Sequence, residues 1–363
     1  MRRSARYVGL PLAIAACIEV MTVFPVHAMA GTITEYALPA NSQTTTTTTC
    51  TRPHKCTTTT TTSTWCSCPA TIAFGPDDGN LWFTETGGKL GYGAVGSIST
   101  VGVAKEYGLS TYGSIPVGIA AGPAGSSTLW FTEQGANRIA KITTTGAITE
   151  YALPTPGSQP RGIARGSDGA FWFTESRASG VMTGYIGQID ASGAISEFSI
   201  PFAYSRPFLI NAGPDGNLWF TDEGTNSVGR ITTSGVITEF LLPSSGSGPH
   251  GITSGPDGNI WVAEAYTSKV ARITPDGTIT EFSAPGGPAG IAVGPDNNLW
   301  FTEATNTSAV GTMTTTGAIL ASYSLGTTQT KDPQGIVAGP DGRVWFTEEF
   351  GATNGAIGAV TTS

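Results

Sequence analysis

Short apolar and polar runs alternate along most of this chain, and they recur in nearly the same wording. One unit, residues 249–282, is PHGITSGPDGNIWVAEAYTSKVARITPDGTITEF. It holds four β-type runs, GITSG, NIWVAE, KVARIT and TITEF, which are rich in Ile, Val, Thr and aromatic residues. Turn sequences such as PDG separate the runs, and none has the spacing of an amphipathic helix. The unit therefore predicts four short antiparallel strands.

The aromatic core of this unit, LWFTE in its commonest form, occurs seven times along the chain. Its tryptophans follow one another at intervals of 39 to 48 residues and are Trp82, Trp130, Trp172, Trp219, Trp261, Trp300 and Trp345. A period of about 40–50 residues is typical of a propeller or a solenoid. A solenoid needs distinct capping repeats, and none is visible. Seven units of four strands predict an all-β fold, a seven-bladed β-propeller.

The two ends of the chain predict how the ring closes. The seventh unit stops without its fourth strand, while GTITEYALP (31–39) matches the internal fourth strand GAITEYALP (146–154) almost letter for letter. We therefore expect residues 31–363 to form the propeller, with 31–39 as the closing strand of the last blade. Gly31–Tyr36 should pair with a strand near 356–360, which removes two open sheet edges.

Composition supports one turn-rich globular domain. The 363 residues include 49 glycines, only 12% are charged, and the net charge is −8. An acidic chain without basic clusters is a poor candidate for binding nucleic acid or an anionic membrane surface. We expect a monomer.

The first thirty residues have the pattern of a signal peptide. MRRSAR is a basic start, an apolar stretch follows, and AMA before Gly31 is a small-x-small cleavage site. Cleavage after Ala30 predicts a secreted, periplasmic or cell-surface protein. The alternative is a lipobox, IAAC, which would lipidate Cys17 and anchor the protein.

Residues 40–68 interrupt the repeat with threonine runs and four cysteines, Cys50, Cys56, Cys66 and Cys68. In an exported protein this even number predicts two disulfides, with three possible pairings. A zinc site that includes His54 is the alternative, although the spacing fits no standard zinc motif. We expect the threonine runs to form a flexible loop on the rim of the propeller.

Only one of the seven units has a histidine after its proline. His250 lies seven residues before Asp257, at the centre of the turn, and Glu264 lies seven residues after it. In a regular hairpin such residues face each other, about 4.5–5.5 Å apart at Cβ. An imidazole and a carboxylate would then meet at the mouth of the channel. The same count pairs Arg161 with Glu175, Phe208 with Asp222, Ala289 with Glu303 and Gln334 with Glu348. In the first two units the turns are longer, and the corresponding pairs are Ala70 with Glu85 and Val117 with Glu133.

The acid of each such pair recurs in all seven units. A ring of seven acids at the channel mouth would attract a cation, and crowding would raise some of their pKa values. An architectural role, in which each acid accepts hydrogen bonds at a strand end, is the alternative. A histidine oriented by a carboxylate in a concave place is the arrangement of a general base.

The units GPDGNLWFTE, NRIAKITTTGAITEYALP and PHGI resemble those of the virginiamycin B lyase family, the streptogramin lyases, across 31–39 and 69–363. The resemblance implies an antibiotic-resistance lyase that needs Mg²⁺ and opens a cyclic depsipeptide ester by β-elimination. It assigns His250 as the general base and Glu264 as a metal-binding acid. Two departures stand out: the family's second acid is replaced by Gly248, and WFTE becomes WVAE in this unit.

Two hypotheses of function follow from the sequence. The first is a lyase with a small-molecule or cyclic peptide ligand at the channel mouth. The second is a secreted binding or scaffold propeller without chemistry.

Overall fold

The computed structural model describes residues 32–38, 68–87, 91–176, 183–304, 308–326, 331–349 and 355–362, and the backbone of 41–52 and 55–65. The predicted signal peptide, Cys17 and the cleavage site at Ala30 lie outside these residues. Within them, no helix has both the length and the apolar character to span a membrane.

Seven four-stranded antiparallel sheets follow one another along the chain. Blade 1 consists of β4 (Pro69–Phe74), β5 (Leu81–Glu85), β6 (Ala94–Ile98) and β7 (Ala104–Gly108). Blade 2 consists of β8 (Pro116–Ala121), β9 (Thr128–Glu133), β10 (Arg138–Thr143) and β11 (Ile148–Ala152). Blade 3 consists of β12 (Pro160–Arg165), β13 (Phe171–Glu175), β14 (Tyr185–Ile189) and β15 (Ile195–Ser199). Blade 4 consists of β16 (Pro207–Ala212), β17 (Leu218–Asp222), β18 (Ser227–Ile231) and β19 (Ile237–Leu241). Blade 5 consists of β20 (Pro249–Ser254), β21 (Ile260–Glu264), β22 (Lys269–Ile273) and β23 (Ile279–Ser283). Blade 6 consists of β24 (Pro288–Val293), β25 (Leu299–Glu303), β26 (Ala309–Met313) and β27 (Ile319–Ser324). Blade 7 consists of β28 (Pro333–Ala338), β29 (Arg343–Glu348) and β30 (Ala356–Thr361), and β1 (Ile33–Ala37) is its fourth strand. The predicted seven-bladed β-propeller is confirmed.

The ring closes through the N-terminal strand, as the sequence predicts. Strand β1 pairs antiparallel with β30, so that Ile33 lies opposite Val360 and Ala37 lies opposite Ala356. The side chain of Tyr36 stacks on Trp345 with ring centroids 5.4 Å apart. The first and last strands of the described residues therefore share one sheet and one core.

Each blade is held together by its tryptophan, which explains the repeated wording. In blade 5 the Trp261 ring stacks on Phe282 of the fourth strand, and its Nε1 donates to Asp257 at 3.0 Å. Equivalent stacks occur in all seven blades, with centroids 5.2 to 5.6 Å apart. The PDG turn is thus both a turn and an acceptor for a buried indole, which would otherwise lose its hydrogen bond to water.

The cysteine-containing insertion is a hairpin. Strands β2 (Asn41–Arg52) and β3 (Lys55–Trp65) pair antiparallel, with the Cα atoms of Cys50 and Cys56 opposite each other. The expectation of a loop is therefore wrong for this backbone, because β-branched threonine favours extended strands. The flexibility of the insertion stays a prediction.

One of the predicted disulfide cysteines, Cys68, is disulfide-bonded. It is therefore not a thiolate ligand for zinc. The pairing of the cysteines stays a prediction, and both His54 and Cys66 lie outside the described residues.

Candidate active site

The first strands of the seven blades line a central channel with a cavity of about 740 Å³. The residue after the strand's initial proline occupies an equivalent place in each blade, which we call the ring position. The seven ring positions are Ala70, Val117, Arg161, Phe208, His250, Ala289 and Gln334. Charged and titratable side chains on the cavity wall are Arg161, Arg165, Glu223, His250 and Glu349. The wall is otherwise mostly apolar, so the few polar groups define where chemistry can occur.

His250 does not face Glu264, so the predicted cross-strand pair is wrong. Pro249 lies opposite Glu264, and the register then shifts by one residue before Ile252 pairs with Val262. The cause is a β-bulge, in which an extra residue on one strand breaks the symmetry that equal distances from a turn assume. The same shift occurs between the proline and the isoleucine of every first strand, so the other six predicted pairs are wrong as well.

The seven recurring acids are buried between the strands and do not line the cavity. They are Glu85, Glu133, Glu175, Asp222, Glu264, Glu303 and Glu348, each at most 2% exposed. The predicted ring of acids at the channel mouth is therefore wrong, because the bulge turns the ring position, not the acid, towards the channel.

Several of these acids do have raised pKa values, as the sequence predicts, but burial is the main cause. It raises the pKa of Glu85 to about 9 and that of Glu133, Glu264 and Glu348 to about 7. Repulsion from a glutamate of a fourth strand adds to the effect in each case, as Glu281 does for Glu264. The charged form of a carboxyl is disfavoured wherever water is excluded.

Glu264 is the residue that the resemblance assigns to metal binding. Its Oε2 accepts a hydrogen bond from Thr267 Oγ1 at 2.9 Å, and its Oε1 is buried without a hydrogen-bond partner. Gly248 has a left-handed backbone, φ 62°, and a Cβ there would lie 2.5 Å from the ring of Tyr266. A second acid at Gly248 would have to displace that ring.

The donor set at Glu264 does not fit Mg²⁺. This ion needs an octahedron of oxygen ligands that carboxylates, waters and substrate fill together. Glu264 offers one carboxylate, and it is buried away from the cavity, so waters and substrate could not complete that octahedron. Throughout the described part of the chain, no three His, Cys, Asp or Glu side chains lie close enough together to hold a metal ion. Magnesium stays a prediction of the resemblance.

Blade 5 differs from the others in a hydroxyl group that links neighbouring blades. The threonine of WFTE donates to the backbone carbonyl of the next ring position, as Thr221 does to His250 at 2.9 Å and Thr302 to Gln334 at 2.9 Å. In WVAE the threonine is replaced by Ala263, which cannot donate to Ala289. The His250 side chain hydrogen-bonds the backbone of Ala289 instead. This bond raises the pKa of His250, as expected when the acceptor is a carbonyl group.

The environment of His250 keeps its imidazole neutral. The ring is half-buried and packs on Phe208 with centroids 4.0 Å apart. Burial and the positive charge of Arg161 together lower the pKa of His250 to about 4, against the opposing effect of Ala289. At neutral pH one ring nitrogen donates to Ala289, so the other carries a lone pair. That is the state in which an imidazole can accept a proton.

Sequence reasoning missed Glu223 and Glu349 on the cavity wall. Each follows directly after the buried acid of its blade, in the doubled acids of TDE (221–223) and TEE (347–349). The doubled acids could have predicted these two residues. Successive side chains of a strand point to opposite faces, so one acid of the pair points away from the core when the other points into it.

The fold and the site place this protein in the class of seven-bladed propellers. Its channel wall is mostly apolar and has a neutral imidazole as a polar site. The model of the virginiamycin B lyase family matches residues 67–355. The chain therefore belongs to the virginiamycin B lyase family.

Solved structures support the same assignment. A streptogramin B lyase is 32% identical, over 92% of this chain and 98% of that chain, with a TM-score of 0.74. Virginiamycin B lyase from Staphylococcus aureus is 36% identical over 82% of this chain and 96% of its own, with a TM-score of 0.72. A catalytically inactive histidine-to-alanine variant of the Staphylococcus aureus enzyme, solved with quinupristin, is 34% identical over 92% of this chain and all of its own, with a TM-score of 0.75. Comparison with curated protein sequences gives no match.

Proposed function

We propose that this protein is a carbon–oxygen lyase that opens a cyclic depsipeptide ester by β-elimination, with His250 as the general base. The observation that carries the proposal is a neutral, half-buried imidazole on the channel wall, held by Ala289 and packed on Phe208. Membership of the family and likeness to a quinupristin-bound relative support a cyclic depsipeptide as the substrate class.

The reaction uses the free nitrogen of His250. It removes the proton on the carbon next to a carbonyl group, and the electron pair forms a carbon–carbon double bond. The bond from the β-carbon to the ester oxygen breaks, and a carboxylate leaves. No water is consumed, so the linear product has the mass of the cyclic substrate.

Product analysis tests this proposal. The mature protein is incubated with quinupristin, and the product is examined by liquid chromatography and mass spectrometry. A linear peptide of unchanged mass with a new double bond supports elimination. A gain of one water would mean hydrolysis, and unchanged quinupristin at high protein concentration would contradict the lyase assignment.

A binding propeller without chemistry is the second candidate, and the position of Glu264 favours it. This acid is one of seven equivalent buried carboxylates, and its surroundings do not complete a metal site. Quinupristin that binds with measurable affinity but is recovered intact would establish this alternative.

Export is part of the proposal. Residues 1–30 would direct secretion with cleavage near Ala30, and the alternative is lipidation of Cys17. The amino-terminal sequence of the mature protein distinguishes them, since cleavage before Cys17 retains residues that cleavage after Ala30 removes.

A further inference from the structure

Three ring positions in succession form one stack on the channel wall. The Arg161 guanidinium lies over the ring of Phe208, 4.8 Å from its centroid, and the imidazole of His250 packs on the same ring at 4.0 Å. All three line the cavity. A permanent positive charge and a neutral base therefore occupy neighbouring places on one wall, separated by one aromatic side chain.

The charge of Arg161 is not neutralised by an ion pair in the described part of the chain. Glu223 attracts it, but the only ion pair of Glu223 there is to Arg206, at 3.8 Å. The Nε of Arg161 is buried and has no hydrogen-bond partner. A buried donor without an acceptor is costly, and a ligand that supplies an acceptor removes that cost.

The elimination develops a negative charge that a nearby cation would stabilise. When the bond between carbon and ester oxygen breaks, the leaving group becomes a carboxylate. The planar guanidinium matches a carboxylate with two parallel N–H donors, and it stays charged at any pH at which a protein is folded. In a partly dry channel such a charge acts more strongly than it would in water.

We propose that Arg161, and not a divalent ion, stabilises the negative charge on the leaving carboxylate. This inference rests on the proposed lyase function. It also accounts for the loss of the second acid at Gly248, because a site that uses a guanidinium does not need carboxylates to hold a metal.

The test compares turnover of quinupristin in Mg²⁺ and in EDTA for four proteins. Wild type should turn over at the same rate within about twofold in both. Arg161→Met keeps an apolar stem over Phe208 but removes the charge, and its rate should fall by about 10²–10³, the usual effect of removing one preorganised donor. Arg161→Lys keeps the charge without the fork and should retain part of the rate. Arg230→Met removes an arginine that does not line the cavity and should stay within about twofold.

A second readout is independent of turnover. The charged groups that share the cavity with His250 are Arg161, Arg165, Glu223 and Glu349, and Arg161 is the one that lowers the pKa of His250. In an NMR titration of the mature protein, Arg161→Met should raise the pKa of His250, whose resonance is the one missing in His250→Ala. The acid limb of the pH–rate profile should move to higher pH with it.

The outcomes separate the two proposals. Activity that EDTA abolishes and Mg²⁺ restores would leave the lyase proposal standing and overturn the role of Arg161. Arg161→Met with the wild-type rate would do the same. No turnover by wild type in either buffer would contradict the lyase function, and the inference would fall with it.

Discussion

The imidazole of His250 in blade 5 is hydrogen-bonded to the backbone of Ala289 in blade 6. Six of the seven WFTE-type segments have a threonine that donates to the equivalent carbonyl of the next blade. Ala263 is the exception, and it leaves this one acceptor for the histidine. Two departures from the repeat, a histidine and an alanine, therefore depend on each other.

Ala263→Thr tests this dependence. The new hydroxyl should donate to the Ala289 carbonyl, as its counterparts do, and compete with the imidazole. Because the bond to Ala289 raises the pKa of His250, the variant should have a lower His250 pKa and a lower rate of elimination at unchanged folding. The pKa is measured by NMR titration.

Thr302→Ala is the matched control. It removes the equivalent hydroxyl in blade 6 and releases the carbonyl of Gln334, which His250 does not contact. It also removes the acceptor of the Gly290 N–H, so it should lower the free energy of unfolding by the contribution of two hydrogen bonds, about 1 kcal/mol each. The pKa of His250 should stay unchanged. Equal shifts of the His250 pKa in both variants would show that Ala263 has no special part in holding the imidazole.

Stability should fall as the pH rises above about 5. The pKa values of Glu85, Glu133, Glu264 and Glu348 are higher in the folded protein than in the unfolded chain. The folded state therefore binds protons more tightly, and this stability is lost as the pH rises through about 7 and about 9, at about 1.4 kcal/mol per pKa unit. His250 acts in the opposite direction between pH 6.5 and 4, because its folded pKa is lowered.

Differential scanning calorimetry at pH 5, 7 and 9 measures the effect. We expect the melting temperature to decrease along this series, since four carboxyls outweigh one imidazole. Glu85→Gln replaces a carboxyl that is neutral at pH 7 with a neutral side chain of the same size, so it should flatten the decrease between pH 7 and 9. A melting temperature that rises from pH 5 to 9 would contradict the burial of these acids.

Removal of the closing strand should destabilise the ring. Deletion of residues 32–38 exposes Trp345, which Tyr36 covers, and leaves β30 as an open edge. We expect a loss of several kcal/mol in the free energy of unfolding, because edge pairing and apolar burial disappear together. Urea denaturation measures the loss.

Deletion of residues 41–65 is the matched control, since that hairpin belongs to no blade. It should leave the unfolding midpoint nearly unchanged. A ring that unfolds at the wild-type midpoint without residues 32–38 would show that closure does not depend on β1.

The sequence alone predicts the blades correctly, but it does not predict the arrangement of the site. Tryptophan spacing and the displaced copy of GTITEY predicted the ring and its closure, because each blade repeats the same packing. The partner of His250 could not be predicted, because a β-bulge after Pro249 shifts the register, and equal distances from the turn do not reveal it. The link between His250 and Ala289 crosses from one blade to the next, which spacing within one unit cannot show.

His250 acts, in the proposed reaction, as the base of the elimination. The direct measurement is the rate of quinupristin opening by His250→Ala, relative to wild type and to Gln334→Ala, which changes another ring position. We expect His250→Ala to lose a factor of about 10²–10⁴, the usual contribution of a positioned general base, and Gln334→Ala to stay within about threefold. A folded His250→Ala protein that opens quinupristin at the wild-type rate would contradict the assignment.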